Sequence, residues 1–409
     1  MDSRKCRSCQ APLSVTFADL GMSPLSNSLV PPNRALGAET FLPLHAYVCG
    51  NCWLVQVLDF ESPANIFKDY VYLSAYSDTW LRHCERYCEQ MVARFGLDKQ
   101  SLVVEIASND GSLLKTFMSR AIPILGVEPA ENVAEIARKA GVPTEAAFFG
   151  KKTAQRLRDS GHSASLMAAN NVLAHVPDIN DFVAGFAILL APEGVITFEF
   201  PSLKEQIAGR QFDTIYHEHF SYLSLHVVKA ILARHGLRVF DTESLPTHGG
   251  SLRVFACHEN ASHATAKNVE AQIRAEQDFG LQSLDTYKAF SDRVVESKLD
   301  TLEFLVKAKR QGKVVAGYGA PAKASTMLNY CGIGPELIRF TVDRNPTKHG
   351  MLMPGCRIPI LSPEAIFEAR PDYVVILPWN LRDEIATTMA GISEWGGRFV
   401  VLTPEVKII

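Results

Sequence analysis

Two cysteine pairs, KCRSC (Cys6 and Cys9) and CGNC (Cys49 and Cys52), tie the start of this chain to a point far inside it. Each pair can form a knuckle that turns two thiolates toward one ion, and two knuckles complete the tetrahedral sulfur site that zinc prefers. Cysteines grouped in this way in a reducing compartment point to metal before disulfides. The segment between the pairs, with Pro12, Pro24, Pro31, Pro32 and Pro43, must therefore loop out and return. Four protein ligands leave no open coordination position, so the expected zinc is structural and takes no part in chemistry. Cys84, Cys88, Cys257, Cys331 and Cys356 lack partners at metal spacing and read as core or surface thiols.

A chain of 409 residues is too long for one ordinary core, and two or three domains are expected. Its 41 basic and 44 acidic side chains give a net charge of -3, which offers no electrostatic reason for a nucleic-acid or anionic-membrane partner. No apolar run approaches the ~18 residues that would span a bilayer. The first residues, MDSRKCRSCQ, lack the apolar stretch of a signal peptide, so the expected location is cytoplasmic. No motif speaks to oligomeric state.

The stretch SLVVEIASNDGSLLKTF, from Ser101, reads as a buried strand, a turn of small residues and a helix. Backbone at Ala107, Ser108, Asn109 and Gly111 can approach a ligand closely, beside the unpaired N–H groups of a helix start. A second strand, ILGVEP, ends in Glu128, spaced from Glu105 as the ribose-binding acid of a doubly wound fold is spaced from its turn. A third, SLMAANNVLAHV, carries Asn170 and Asn171, and GVITFEFP follows with Glu199. The full dinucleotide glycine pattern is missing. The order of acidic strand end, ribose acid, asparagine-bearing strand and late β pair matches the class I methyltransferase layout, so the expected cofactor is S-adenosylmethionine. Its expected ligands are Glu105, Ala107, Ser108, Asn109, Gly111, Glu128, Asn170 and Asn171.

The densest chemistry lies in YHEHFSYLS, Tyr216 to Ser224, where two histidines, a glutamate and two tyrosines share nine residues. Imidazole titrates near neutral pH and phenols donate hydrogen bonds, which suits proton abstraction beside a carbonyl as well as it suits metal binding. Adjacent Glu218 and His219 would point to opposite faces of a strand, so both can line one pocket only if the segment is a loop or helix.

With the cysteine pairs, YSDTW (Tyr76 to Trp80), EIASNDG, GVEP, NNVLAHV, YHEHFSYLS, HGGSLR from His248 and GYGAPAKAS from Gly317 in fixed order, the whole chain resembles the sugar C-methyltransferase family. Those enzymes use S-adenosylmethionine to add a branching methyl to nucleotide-linked deoxyketosugars. The resemblance implies an α/β protein of three parts: a zinc-binding domain (1–78), a central Rossmann-like class I methyltransferase domain (79–262) and a smaller Rossmann-like α/β domain (263–409). It implies a nucleotide-sugar substrate held between the last two, with dTDP-linked 4-keto-deoxysugars favoured and C-3' as the methylated carbon. Tyr216, Glu218 and His219 fall where the family keeps its acid-base groups, and Tyr76 and His175 at positions that close the same pocket. His219 is the first choice of base and Tyr216 of donor to an enolate oxygen, while Glu218 orients a partner or tunes the imidazole. Tyr222, His248 and Lys323 are expected to touch substrate, and His217 reads as a neighbour.

Between His263 and Gln311 the sequence turns helical and charged, after which KVVAGYGAPAKAS, IRFTVDRNP with Asp343, and YVVILPW repeat the strand, turn and helix pattern. The turn at Gly317, Gly319 and Ala320, with Lys323 beyond it, suits a phosphate; a unit that only buttresses the central domain is the competing reading. Two other functions fit parts of the chain. A small-molecule O- or N-methyltransferase would share the cofactor motifs and differ in placing its methyl off carbon; a non-catalytic zinc and Rossmann binding protein would fail to bind S-adenosylmethionine.

Overall fold

In the computed structural model, the described residues are 4–62, 75 and 78–409. Three strands open the chain: β1 (Val15–Ser23), β2 (Leu42–Val48) and β3 (Val55–Val57). The central part contributes β4 (Val103–Ile106), β5 (Ile124–Val127), β6 (Thr144–Glu145), β7 (Ala164–Asn170), β8 (Leu190–Pro201), β9 (Ser221–Tyr222), β10 (Leu237–Leu245) and β11 (Ser251–His258). The last part contributes β12 (Val315–Tyr318), β13 (Thr341–Val342), β14 (Ile360–Leu361), β15 (Tyr373–Ile376), β16 (Arg398–Val401) and β17 (Lys407–Ile408).

These strands build three sheets. The central one runs β10-β11-β8-β7-β4-β5-β6, parallel from β8 to β6 and closed by the antiparallel pair β11 and β10. Its inner strands are mostly apolar, as strands covered on both faces are, and all four residues of β4, Glu105 among them, are buried. Strand order reverses between β4 and β7, and in such sheets ligands bind outside the carboxyl ends of the strands at that reversal. The third sheet, β14-β13-β12-β15-β16-β17, repeats the device with its reversal between β12 and β15.

The first sheet is not self-contained. Its order is β1-β2-β3-β9, and its fourth strand comes from the YHEHFSYLS segment, with Val55 opposite Tyr222 and Gln56 opposite Ser221. The helix Leu284–Arg310 lies on the same sheet, where Phe290 stacks on Phe17 with ring centroids 4.4 Å apart. One buried cluster accordingly joins Phe17, Val55 and Tyr222 to Phe290, Met327 and Val375, residues distant in sequence. Among the described residues no helix is long and apolar enough to cross a membrane.

Candidate active site

The turn after β4 is wound against its residues' preferences. Ala107 (φ 57°) and Asn109 (φ 49°) lie in the left-handed region, as does Asn171 (φ 54°) at the end of β7. For L-residues this conformation costs about 1 kcal/mol or more each, and such strain concentrates where loops grip ligands. Gly111 shares it (φ +75°) and has a second reason to be glycine, since a Cβ there would sit 2.8 Å from Val142 Cγ2. The turn is held by Glu128, which accepts from the Asn109 N–H at 2.9 Å and from the Ala130 N–H at 2.9 Å.

The charges around this turn are all of one sign. Glu105, Asp110 and Glu128 are buried together, and among the described residues no lysine or arginine pairs with any of them. Burial, then the Asp110 and Glu128 charges, push the Glu105 carboxyl well above its usual range; burial likewise raises Glu128. Glu105 Oε2, Ser108 Oγ, both amide atoms of Asn170 and Asn171 Oδ1 are buried with no partner among the described residues. An acceptor-rich anionic hollow repels a pyrophosphate, and it fits a nucleoside that carries cationic sulfonium and ammonium groups with hydroxyls to donate. The expected S-adenosylmethionine ligands thus converge on one place, at the sheet's reversal point.

Asn171 leads within four residues to His175, whose ring meets that of His219 edge-on with centroids 4.6 Å apart. The cluster around His219 owes its arrangement to a turn. The His219 N–H donates to the Tyr216 carbonyl at 2.9 Å, closing a four-residue β-turn that brings its first and last side chains together. The Tyr216 and His219 rings lie 4.0 Å apart, with the Tyr216 hydroxyl 2.7 Å from His219 Nε2. His219 Nδ1 is 2.9 Å from the Thr214 carbonyl. A carbonyl only accepts, so Nδ1 carries the proton and Nε2 accepts from the phenol. Burial, reinforced by the neighbouring His175, holds His219 well below the usual histidine range, and burial takes His175 down to about 4. Both imidazoles are neutral at physiological pH.

The two middle residues of the turn face the other way. His217 Nε2 donates to the Pro43 carbonyl at 3.2 Å, while Glu218 Oε1 and Oε2 lie 2.7 and 2.8 Å from Asn27 Nδ2. Burial pushes the Glu218 carboxyl up to about 7, against the Asn27 hydrogen bonds. Tyr222 is buried just beyond, in β9. From the third sheet's side, Lys323 donates to Asn380 Oδ1 at 2.7 Å and sits 4.4 Å above the Trp379 ring, whose Nε1 donates to Asp213 Oδ2 at 2.7 Å. Burial lowers the Lys323 ammonium and Asp213 opposes it; burial raises Asp213 to about 6. Lys323 therefore faces the cleft between the two doubly wound units, where its charge is felt by His219 and His248. His248 stands exposed at the rim in a left-handed conformation (φ 53°). Tyr76 lies outside the described residues.

Several residues of this region carry no signal in the sequence. Asn27 sits in a loop of the cysteine-bearing segment, and Asp213 and Trp379 come from separate segments. His83, at the mouth of the helix Asp78–Phe95, bonds Glu199 Oε2 through Nε2 at 2.9 Å. Arg253 holds the other oxygen of Glu199 from Nε at 2.7 Å. Burial works against ionising Glu199, but His83 and Arg253 outweigh it and keep its carboxyl low. Glu199 at a strand end and Arg253 within HGGSLR were visible as residues; their pairing across β8 and β11 was not.

The four expected metal ligands form one cluster. All four Sγ atoms lie within 4.8 Å of one another, with Cys6 to Cys52 and Cys9 to Cys49 both at 3.5 Å, bracketing the ~3.8 Å between sulfurs around a tetrahedral zinc. The residue after each pair, Gln10 and Trp53, has φ 65°, so the two knuckles are wound alike. Gln56 Nε2 donates to Cys6 Sγ at 3.2 Å. The donor set, the spacing and the turned backbone all fit a closed structural zinc site.

Known proteins match this chain along nearly all of its length. Family models match in order: a zinc binding domain over residues 6–67, a methyltransferase domain over 80–242 and the C-methyltransferase C-terminal domain over 246–404. The S-adenosylmethionine-dependent methyltransferase of Clostridium acetobutylicum is 10% identical, with TM-score 0.35 over 45% of this chain and 93% of its own. The magnesium protoporphyrin IX methyltransferase ChlM of Synechocystis is 14% identical, with TM-score 0.33 over 48% and 88%. Similarity of that degree carries no functional conclusion. A relative over the full length does: the C-methyltransferase NovU of Streptomyces niveus is 36% identical over 405 residues, 99% of this chain and 96% of that one. With three family models matched in order along the chain and a relative 36% identical over nearly its full length, this chain belongs to the C-methyltransferases that use S-adenosylmethionine and carry an N-terminal zinc domain.

Proposed function

We propose that the protein methylates carbon beside the ketone of a nucleotide-linked 4-keto-deoxysugar, at C-3' and on a dTDP carrier in the favoured case. The observation that carries the reading is the neutral His219 with its tautomer fixed. Methylation on carbon needs a carbon acid to lose a proton, and Nε2 is the basic nitrogen that the Thr214 carbonyl leaves available. S-adenosylmethionine, held by Glu105, Glu128, the Ala107–Gly111 turn and the Asn170–Asn171 amides, supplies an electrophilic methyl. Tyr216 gives its hydrogen bond over to the substrate's carbonyl oxygen as Nε2 takes the proton, so one hydroxyl serves the base at rest and the oxyanion during reaction. A base of such depressed basicity needs strong stabilisation of the anion it creates. Lys323 adds a buried cation to that end, and Tyr222, His175 and His248 shape the same cleft.

The proposed division of labour is zinc-binding for 1–78, cofactor and acid-base chemistry for 79–262, and a share of the nucleotide sugar for 263–409. The turn at Gly317–Ala320 with Lys323 was expected to meet a phosphate; with Lys323 directed at Trp379 and Asp213, its support is for contact nearer the sugar. Cytoplasmic location is part of the same reading, as the place where such sugar nucleotides are made.

The test is incubation with S-adenosylmethionine and a panel of 4-keto-sugar nucleotides, read by mass. A product heavier by one methyl, located on carbon beside the ketone, is expected; methylation on oxygen or nitrogen, or none across the panel, overturns the reading. Exchange of the α-proton for deuterium in heavy water, with S-adenosylhomocysteine bound, isolates the proton step.

A further inference from the structure

A four-residue turn has no rigidity of its own, yet the chemistry proposed above asks Tyr216 and His219 to keep one geometry. The described contacts show what restrains them. Both nitrogens of the His219 ring are accounted for, Nδ1 by the Thr214 carbonyl and Nε2 by the Tyr216 hydroxyl, so Glu218 is not the carboxylate that orients this histidine. The Glu218 carboxylate instead points at a single amide nitrogen, that of Asn27, 2.7 and 2.8 Å from its two oxygens. Asn27 is its sole side-chain partner among the described residues.

We propose that the Asn27–Glu218 pair sets the catalytic turn, with Asn27 a positioning residue that reaches it from the zinc-bearing segment and Glu218 acting through that contact and not as a proton carrier. The inference rests on the function proposed above. Three further ties run between the same two regions. His217 Nε2 donates to the Pro43 carbonyl at 3.2 Å. The Val57 N–H donates to the Phe220 carbonyl at 3.2 Å, ahead of the β3 to β9 pairing. Gln56, opposite Ser221 in that pairing, has its side chain on Cys6 Sγ. The middle of the turn is thus fastened to the first sheet while its ends project into the cleft. A carboxylate buried deeply enough to titrate at about 7 would leave the pocket or take a proton without its donor, and the turn would follow it.

The experiment compares Asn27→Leu, Asn27→Asp, Glu218→Gln and the double variant Asn27→Asp with Glu218→Gln, in the full chain with its zinc. Asn27→Leu is expected to lower kcat roughly 10- to 100-fold, the scale for a misplaced catalytic group. Zinc content and calorimetric affinity for S-adenosylmethionine should stay unchanged. Amide hydrogen exchange over 216–222 is expected to quicken at least about tenfold, which lowers the free energy of opening by about 1.4 kcal/mol or more. The double variant restores the pair with donor and acceptor reversed, and it is expected to recover most of the turnover lost in Asn27→Asp. A double variant no better than Asn27→Asp alone would show that the carboxylate itself does chemistry, and unaltered exchange in Asn27→Leu would show that the pair positions nothing; either overturns the proposal. The exchange measurement needs no substrate, so it stands even if the sugar panel fails. Should Asn27→Leu lose zinc, the double variant decides.

Discussion

The two doubly wound units solve the same structural problem and differ in what they leave unsolved. In each, an acid at the end of the second strand, β5 or β13, accepts a backbone N–H from the first turn: Glu128 from Asn109 at 2.9 Å, Asp343 from Ala320 at 2.8 Å. Asp343 is also bonded by Lys348 at 3.3 Å, and Lys348 caps the Ala320 carbonyl at 2.9 Å, so this charge is neutralised within the unit. Glu128 meets no cation among the described residues, and Glu105 beside it keeps an oxygen without a partner. Unspent polarity in a folded protein is costly, so it persists where a ligand supplies the missing partner. The central unit leaves its acids without a cationic partner among the described residues; the last unit pairs Asp343 with Lys348 and turns Lys323 toward Trp379 and Asn380.

That contrast breaks most directly at the base. His219→Asn is expected to cut turnover by roughly 100- to 10,000-fold while S-adenosylmethionine affinity is unchanged, the share that general base catalysis supplies. Single-turnover kinetics with calorimetry checks it, and wild-type α-proton exchange in the variant would move the base elsewhere. Next comes the pair of acids. Glu128→Ala should weaken S-adenosylmethionine binding by about 1 to 3 kcal/mol, and Asp343→Ala should not alter it. Equal losses in the two variants would erase the distinction between the units.

A proton count sharpens it further. Glu105 and Glu128 bind protons more tightly in the folded protein than in the unfolded chain, so they favour folding at low pH and cease to as pH rises through their raised values. A cofactor cation lowers those values again. Binding of S-adenosylmethionine near pH 6 should therefore release protons, seen as a dependence of calorimetric enthalpy on buffer ionisation heat, and Asp343→Ala should release as many as the wild type. The smallest expected effect is on the pH profile. His219 is neutral throughout the working range, so it does not set the acid limb; Glu218, at about 7, takes a proton as pH falls and gives up one of the oxygens that Asn27 binds. Turnover should fall several-fold from pH 8 to pH 6, and that limb should vanish in Glu218→Gln.

What could be read in the sequence was whatever a short window encodes. The cysteine knuckles, the apolar run of β4 with its small-residue turn, and the acid of GVEP each state their structure within a few residues. YHEHFSYLS announced its chemistry and hid its geometry. The β-turn sends Tyr216 and His219 one way and His217 and Glu218 the other, and only the turn's hydrogen bond shows it. Asn27 lay beyond reading because its partner is 191 residues away. Separations of 116 and 54 residues likewise obscured the pairing of His83 and Arg253 on Glu199, which depends on the register of β8 and β11 and on how a helix lies across them.

The fourth strand of the first sheet has a consequence for how the chain is made. During synthesis the cysteine-bearing segment leaves the ribosome early, but β3 lacks its neighbour until residues 221 and 222 follow, after most of the central sheet has emerged. Until then β3 shows an open row of backbone groups, the kind of edge on which nascent chains pair wrongly. The first sheet therefore gains its fourth strand only once residues 221 and 222 have been made, well after its other three.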